Sequence, residues 1–170
     1  MLLLTACASA PSGRTTGPVT APARQAPDAA SAHLRVLMID SATAMLGQPY
    51  RWGGAAPGGF DCSGLVVYAA AGAGLRVPRT TAEQISFGVP ITRGDIRAGD
   101  LVFMHLSHKN LHVGIALNNE RFVHAPSSGA HVRIDSLDAQ PYAGAFLGAR
   151  RIIPRPALPG RARLPTVTGN

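Results

Sequence analysis

Cys62 is the residue of this chain whose surroundings best suit nucleophilic chemistry. It follows Asp61 and precedes Ser63, Gly64 and an apolar stretch, a pattern that predicts the first turn of a helix with Asp61 as its N-cap. A thiol is mostly protonated near neutral pH, but the N–H groups and dipole of a helix N-terminus favour the thiolate. The same N–H groups could hold the oxyanion of a tetrahedral intermediate. Without further context, the alternative is an inert buried cysteine.

Two histidines supply that context. His112 opens the alternating run His-Val-Gly-Ile-Ala-Leu, which places it at the edge of a predicted strand, and His124 closes the run Arg-Phe-Val-His. The sequence Asn-Asn-Glu at residues 118–120 favours a hairpin turn that would bring both histidines to one end of two paired strands. One imidazole could then act as a base toward Cys62, in a thiolate–imidazolium pair, while the other orients it and fixes its tautomer.

A second histidine pattern offers a metal-binding alternative. His105, His108 and His112 have a spacing that could hold zinc if Asp100 or Asp61 supplied a further ligand. The hypothesis needs the imidazoles on one helical face, whereas residues 107–110 have the composition of a turn. We therefore predict a site without a metal or another cofactor.

The chain before these histidines is predicted to be mainly helical. Residues 31–46 carry apolar side chains at helical spacing, with Ser31 as N-cap and Gly47 as the stop. Residues 48–59 hold two prolines and four glycines and predict a loop. A second helix is predicted at residues 62–73, ended by Gly72 and Gly74, and a shorter third helix at residues 81–87.

The pattern changes to short β-rich runs after Gly99. Strands are predicted at residues 101–104, 112–117, 121–124, 131–134 and 146–152, and the sequence Ser-Ser-Gly at residues 127–129 favours another turn. Helices followed by consecutive strands indicate an α+β domain with an antiparallel sheet.

Successive motifs of the chain resemble those of NlpC-type cell-wall cysteine peptidases. In the family's order they are Pro-Tyr-Arg-Trp-Gly-Gly (49–54), Phe-Asp-Cys-Ser-Gly-Leu-Val (60–66), Pro-Arg-Thr-Thr-Ala-Glu-Gln (78–84), Gly-Asp-Leu-Val-Phe (99–103), His-Val-Gly-Ile (112–115) and Phe-Val-His-Ala (122–125). The resemblance covers about residues 33–153. It implies a papain-like fold, with N-terminal helices packed on a C-terminal antiparallel sheet. It also implies hydrolysis of amide bonds in peptidoglycan stem peptides, commonly the D-glutamyl–diaminopimelate bond.

The resemblance also implies a role for individual residues. Cys62 matches the nucleophile, His112 the base and His124 the third member of a Cys-His-His triad, which orients His112. Tyr50 matches a tyrosine that helps to bound the oxyanion site.

Three further positions match residues around the substrate cleft. Asp61 and Ser63 match positions that line it, where a carboxylate could meet a free amine of the stem peptide. Arg79 could either hold the loop together or touch substrate, and Trp52 could be a residue of the core.

Two other functions remain open from the residues alone. One is an amidase or acyltransferase of the same fold with a substrate outside the wall, and the other is an inactive wall-binding scaffold. Cys62, His112 and His124 argue against a scaffold, which has no need of a thiolate at a helix start.

The first residues resemble the lipobox of bacterial lipoproteins. Leu-Thr-Ala precedes Cys7, but only six residues lie before it, whereas a signal peptide normally has about 7–15 apolar residues. We expect residues 1–7 to be a signal or lipobox remnant, with a lipid on Cys7 as the membrane anchor. A disulfide between Cys7 and Cys62 is the alternative.

The domain boundaries follow from composition. We expect a flexible linker at residues 8–31, a peptidase domain at residues 32–153 and a disordered tail at residues 154–170. The expected location is the cell envelope, either on a lipid anchor in the outer membrane or periplasm of a Gram-negative bacterium or as a secreted protein.

Length and charge limit the partners. A chain of 170 residues indicates one domain, and its net charge of +7 favours anionic partners. Nucleic acid is not expected, because aromatic residues make up 5% of the chain and do not cluster with basic ones. We expect a monomer that acts on peptidoglycan stem peptides.

Overall fold

The computed structural model describes residues 25–106, 110–127 and 129–153. The expectations for Cys7, for residues 1–24 of the signal and linker, for His108 and for the tail at residues 154–170 lie outside these ranges.

The first helix, α1 (Gln25–Thr43), begins earlier than its apolar pattern predicts. Residues 25–30, assigned to the linker from composition, are helical, and Ser31 lies inside the helix rather than at its N-cap. Three of these six residues are alanine, the best helix former, and Pro27 lies in the first turn, where a missing N–H is tolerated. The helix ends at Thr43, and a turn then leads to Gly47, whose φ is +82°.

The second helix, α2 (Cys62–Gly72), forms where the sequence predicts it. Asp61 is its N-cap, and the Asp61 side chain accepts a hydrogen bond from the backbone N–H of Gly64. Leu65, Val66, Ala69 and Ala70 are buried because α1 packs on one side of the helix and strand residues on the other. At Gly72 a Cβ atom would lie 2.0 Å from Oγ of Ser41, so glycine allows the two helices to approach closely.

The segment between these helices is more ordered than the predicted loop. It contains a small antiparallel hairpin, β1 (Ala55–Ala56) and β2 (Gly59–Phe60). Gly58, with φ of +104°, allows the tight turn between the two strands. The loop packs closely against α2: a Cβ atom at Gly64 would lie only 2.0 Å from the carbonyl oxygen of Gly54.

The third helix, α3 (Thr81–Gln84), is shorter than predicted. Thr80 and Glu83 form a reciprocal capping box at its start. Turn hydrogen bonds continue through Phe87, but Gly88 has a φ of +83°, and the chain leaves the helical path there.

The remaining chain forms an antiparallel sheet of six strands. They are β3 (Val89–Ile91), β4 (Leu101–Leu106), β5 (Asn110–Ala116), β6 (Arg121–His124), β7 (Arg133–Ser136) and β8 (Phe146–Arg151), in the order β3-β8-β4-β5-β6-β7. The antiparallel sheet predicted from the sequence is confirmed. Strand β3 was not predicted, because Pro90 lies in its middle and proline is tolerated only on an edge strand.

Two strand positions differ from the prediction. Strand β5 begins at Asn110, so His112 lies inside the strand, opposite Met104, rather than at its edge. Strand β7 lies two residues later than predicted, because His131 forms an isolated bridge with Pro49 before the strand begins.

Helix α2 packs on the sheet through β5 and α1 packs on α2, and their buried residues form the main core with strand residues such as Leu101, Phe103 and Val113. Asp100 is fully buried and forms ion pairs with Arg35 of α1 and Arg151 of β8, which ties the helical layer to the sheet. None of the helices in the described part of the chain has the length and hydropathy needed to cross a membrane.

Candidate active site

One cleft contains most of the residues that the sequence singles out. Its walls come from the start of α2, the loop before β1, the segment that leads into α3, strand β5 and the residues after β6. The predicted site residues along it are Tyr50, Asp61, Cys62, Ser63 and His112, together with Arg79.

Cys62 is the first residue of α2, and its side chain is partly exposed to the cleft. Its Sγ lies 3.5 Å from Oγ1 of Thr81, at the start of α3. The carboxylate of Asp61 accepts a hydrogen bond from the N–H of Gly64, and the backbone carbonyl of Asp61 accepts one from the N–H of Leu65. The first-turn N–H groups of Cys62 and Ser63 thus remain as donors at the helix start.

The two predicted histidines lie next to each other, as the hairpin suggested. Nε2 of His112 is 2.7 Å from Nδ1 of His124, and the rings are nearly perpendicular, with centroids 5.0 Å apart. Strands β5 and β6 create this contact through the antiparallel pairs Ile115–Val123 and Ala116–Phe122. His112 reaches the cleft, whereas His124 is fully buried behind it.

Burial keeps both imidazoles neutral. It lowers the pKa of His112 to about 3, with a further decrease from His124, against a smaller increase from Asp135. Burial also lowers the pKa of His124 to about 4, although the hydrogen bond to Asp135 opposes this. Burial thus favours neutral imidazoles in the free site, and the thiolate–imidazolium pair expected from the sequence stays a prediction.

A carboxylate that the sequence does not single out completes the buried cluster. Oδ2 of Asp135 lies 2.9 Å from Nε2 of His124 and accepts hydrogen bonds from the hydroxyl of Tyr142 at 2.9 Å and from Nε of Arg133 at 2.8 Å. The alternation of charge in Arg-Ile-Asp predicts that Arg133 and Asp135 share one face of a strand. Only the pairing of β7 with β6 reveals that this face adjoins His124.

Asp61 lines the cleft, but both of its carboxylate oxygens already accept hydrogen bonds within the protein. Arg79 donates to both of its oxygens, at 3.0 and 2.6 Å, and Ser63 Oγ and the N–H groups of Gly53 and Gly64 donate as well. Although burial opposes it, these hydrogen bonds and the charge of Arg79 lower the pKa of Asp61 below its ordinary value. Of the two roles open for Arg79, the structure favours holding the loop.

Two aromatic residues lie on the wall of the cleft near Cys62. Burial, together with the charges of Cys62 and Asp61, raises the pKa of the Tyr50 phenol, so its O–H remains protonated and can donate. Trp52 is 87% exposed, which corrects the interpretation of this residue as core packing. It lies in a loop whose Gly53 has a φ of +75°.

The residues of the zinc hypothesis do not converge. His105 pairs with Leu111 whereas His112 pairs with Met104, so the two imidazoles leave opposite faces of the sheet. Asp100 and Asp61 are ion-paired with arginines. Among the described residues, no three side chains of the metal-ligating types come together.

Known proteins match the part of the chain that contains these cleft residues. The model of the NlpC/P60 family matches residues 47–151. The murein DD-endopeptidase MepH of Escherichia coli is 40% identical over 114 residues, which make up 64% of this chain and 42% of that protein. The chain spans about half the length of the curated relatives that it matches.

Solved structures agree with the fold. An NlpC/P60 family protein from Bacillus cereus superposes with a TM-score of 0.66 at 29% identity, covering 71% of this chain and 40% of that one. The peptidoglycan hydrolase RipB of Mycobacterium tuberculosis gives a TM-score of 0.65 at 28% identity, covering 76% of this chain and 70% of that one. The predicted papain-like α+β fold is confirmed.

Proposed function

The chain belongs to the NlpC/P60 family, and we propose that it is a cysteine endopeptidase that hydrolyses amide bonds in peptidoglycan stem peptides. The observation that carries this proposal is the arrangement of Cys62, at the N-terminus of α2, and His112 on the wall of the same cleft. The relatives named as a murein endopeptidase and as a peptidoglycan hydrolase support the substrate class.

In the proposed mechanism, Cys62 is the nucleophile and His112 the general base. His112 takes the thiol proton as the sulfur attacks the carbonyl carbon of the scissile amide, and a tetrahedral intermediate forms. The protonated imidazole then gives its proton to the leaving amine, which leaves an acyl group on the sulfur as a thioester. Water, deprotonated by the same imidazole, hydrolyses the thioester and restores the thiol. His124 orients His112 through both steps.

The start of α2 supplies the proposed oxyanion site. The N–H groups of Cys62 and Ser63 lie beside the sulfur and are not used by the cap, and the Tyr50 hydroxyl lines the same cleft. Donors held in place before the reaction stabilise the developing oxyanion without having to reorganise.

A further question is which amide bond of the stem peptide the enzyme hydrolyses. The motifs of the chain favour the D-glutamyl–diaminopimelate bond, whereas the name of MepH favours a bond between two D-centres. The carboxylate of Asp61, already paired with Arg79, offers little charge to a free substrate amine. We therefore propose a substrate within the wall rather than a small peptide with a free amine at that position.

The test is digestion of purified sacculi by the full chain, with the released fragments identified by mass. We expect fragments with a new D-glutamyl carboxylate and a new diaminopimelate amine. Fragments cut at another amide of the stem would show that the enzyme cleaves a different bond, while its assignment as a peptidoglycan endopeptidase would stand. Intact sacculi after prolonged digestion would contradict the proposal and favour an amidase or acyltransferase outside the wall, or a scaffold.

We further propose that the enzyme works in the cell envelope as a monomer, held at the outer membrane by a lipid on Cys7. The support is the lipobox-like sequence before Cys7 and the envelope substrate of the named relatives. Mass spectrometry of the N-terminal peptide from cells tests the anchor: a diacylglycerol on Cys7 is the expected result, and an unmodified Cys7 in mature protein would contradict it.

A further inference from the structure

We propose that Asp135 is a positioning residue of this site: it fixes the tautomer of His124 and, through His124, leaves Nδ1 of His112 as the basic nitrogen. The inference rests on the proposed function for the role of His112 as base. It adds a carboxylate to the triad that the motifs imply.

Three donors converge on one carboxylate oxygen. Nε2 of His124, the hydroxyl of Tyr142 and Nε of Arg133 lie within 2.9 Å of Oδ2 of Asp135. These bonds hold the pKa of Asp135 below its ordinary value although burial opposes them. An ionised carboxylate can only accept hydrogen bonds, so Nε2 of His124 must carry a hydrogen.

That hydrogen determines the protonation of both rings. A neutral imidazole has one N–H, so Nδ1 of His124 has a lone pair and accepts. Its partner at 2.7 Å is Nε2 of His112, which must then be the donor. The remaining nitrogen of His112 is Nδ1, with a free lone pair, and His112 lines the cleft together with Cys62.

Two observations support this chain of hydrogen bonds. Burial holds the pKa of both histidines far below 6.5, to about 3 and about 4, so each ring carries a single hydrogen at neutral pH. The ring of His124 is also held on two sides, by Phe122 with centroids 4.6 Å apart and by Tyr142 at 5.3 Å. A flip that exchanged its nitrogens would have to displace this packing.

Asp135 also has a role once the reaction begins. When Nδ1 of His112 takes the thiol proton, the positive ring donates to His124, which donates in turn to the carboxylate. The charge of Asp135 stabilises the imidazolium through His124, and the proton itself stays on His112 until the amine leaves.

The first test needs no substrate. Two-bond ¹H–¹⁵N spectra of the histidine side chains, recorded on the wild-type chain at pH 7, distinguish the two neutral tautomers. The expected result is a hydrogen on Nε2 alone in both His112 and His124. A hydrogen on Nδ1 of His124 would overturn the proposal.

Variants of Asp135 extend the test to activity on sacculi. In Asp135→Ala both rings should lose their single tautomer, and kcat should fall roughly 10- to 100-fold with little change in KM, as expected for loss of an orienting partner. In Asp135→Asn the amide oxygen can replace Oδ2, so the tautomers should be kept and part of kcat recovered. A merely structural role would lower stability without changing the tautomers.

Asp138→Ala is the matched control. Asp138 lies three residues further along the chain, pairs with Arg93 at the surface and is 65% exposed, so its removal should leave kcat and both tautomers unchanged. Wild-type kcat in folded Asp135→Ala, or a loss of kcat with unchanged tautomers, would overturn the proposal. If Asp135→Ala does not fold, the wild-type spectrum still decides. If the tautomers are as expected but the chain does not cleave sacculi, the proposed function is contradicted and the hydrogen-bond assignment is not.

Discussion

His112 and His124 lie deep enough in the protein that burial determines their charge. Because burial disfavours the imidazolium, the pKa values fall from 6.5 to about 3 for His112 and to about 4 for His124. The unfolded chain binds protons near pH 6.5 that the folded chain does not bind. The stability linked to these rings is therefore complete above about pH 6.5 and is lost as the pH falls from there toward 4.

We predict that the free energy of unfolding decreases by about 2 kcal/mol per buried histidine between pH 7 and pH 5. Urea denaturation at a series of pH values measures it. Asp61 and Asp135, whose pKa values lie below 3.8, titrate outside this window. His105→Gln, which changes an exposed imidazole of β4, should keep the slope of the wild type. A stability that is flat from pH 7 to pH 5 would show that the rings are not held neutral.

At the scale of elements, the start of α2 is fixed by the segment that leads into α3. Arg79 lies in that segment and bonds both oxygens of Asp61 as well as Oγ of Ser63. It thus joins the N-cap of α2 to the next part of the cleft wall. Since Asp61 is largely buried, removal of the guanidinium leaves a carboxylate without its charged partner.

We predict that Arg79→Ala lowers the free energy of unfolding by roughly 1–3 kcal/mol and reduces activity, because Cys62 loses its fixed position. Denaturation and sacculus digestion measure the two effects. Asp138→Ala is the control, since Asp138 and Arg93 form an exposed ion pair whose loss should cost at most about 1 kcal/mol. Equal stability of the two variants would contradict the role given to Arg79.

Local signals in the sequence account for the elements that present Cys62 and the two histidines. The cap of α2 at Asp61 and the end of β6 at His124 depend on neighbouring residues and were predicted correctly. The role of Asp135 could not be predicted, since it depends on the register of β7 against β6. The place of Tyr142 depends on the path of the chain between β7 and β8, for which residue types offer no rule.

At the scale of the whole molecule, charge is the property most relevant to finding the substrate. Sixteen Lys and Arg residues against nine Asp and Glu give a net charge of +7, which favours association with anionic wall polymer. We propose that this electrostatic attraction recruits the chain to the wall.

We predict that the Cys62→Ala chain binds purified sacculi at low ionic strength and is released as salt increases, because the Debye length falls from about 10 Å at 0.1 M to about 3 Å at 1 M. Co-sedimentation measures binding. Sacculi whose stem-peptide carboxylates have been amidated are the control and should bind less at low salt. Binding that is unchanged by salt would contradict electrostatic recruitment.

Digestion of sacculi tests most directly whether the sulfur of Cys62 attacks the wall peptide. Sacculi are digested in parallel with the wild-type chain, Cys62→Ala and Cys7→Ala, and the soluble fragments are quantified by mass. We predict that Cys62→Ala releases none above background, while Cys7→Ala, in which every described cleft residue is unchanged, matches the wild type. Undiminished release by a folded Cys62→Ala chain would contradict the account.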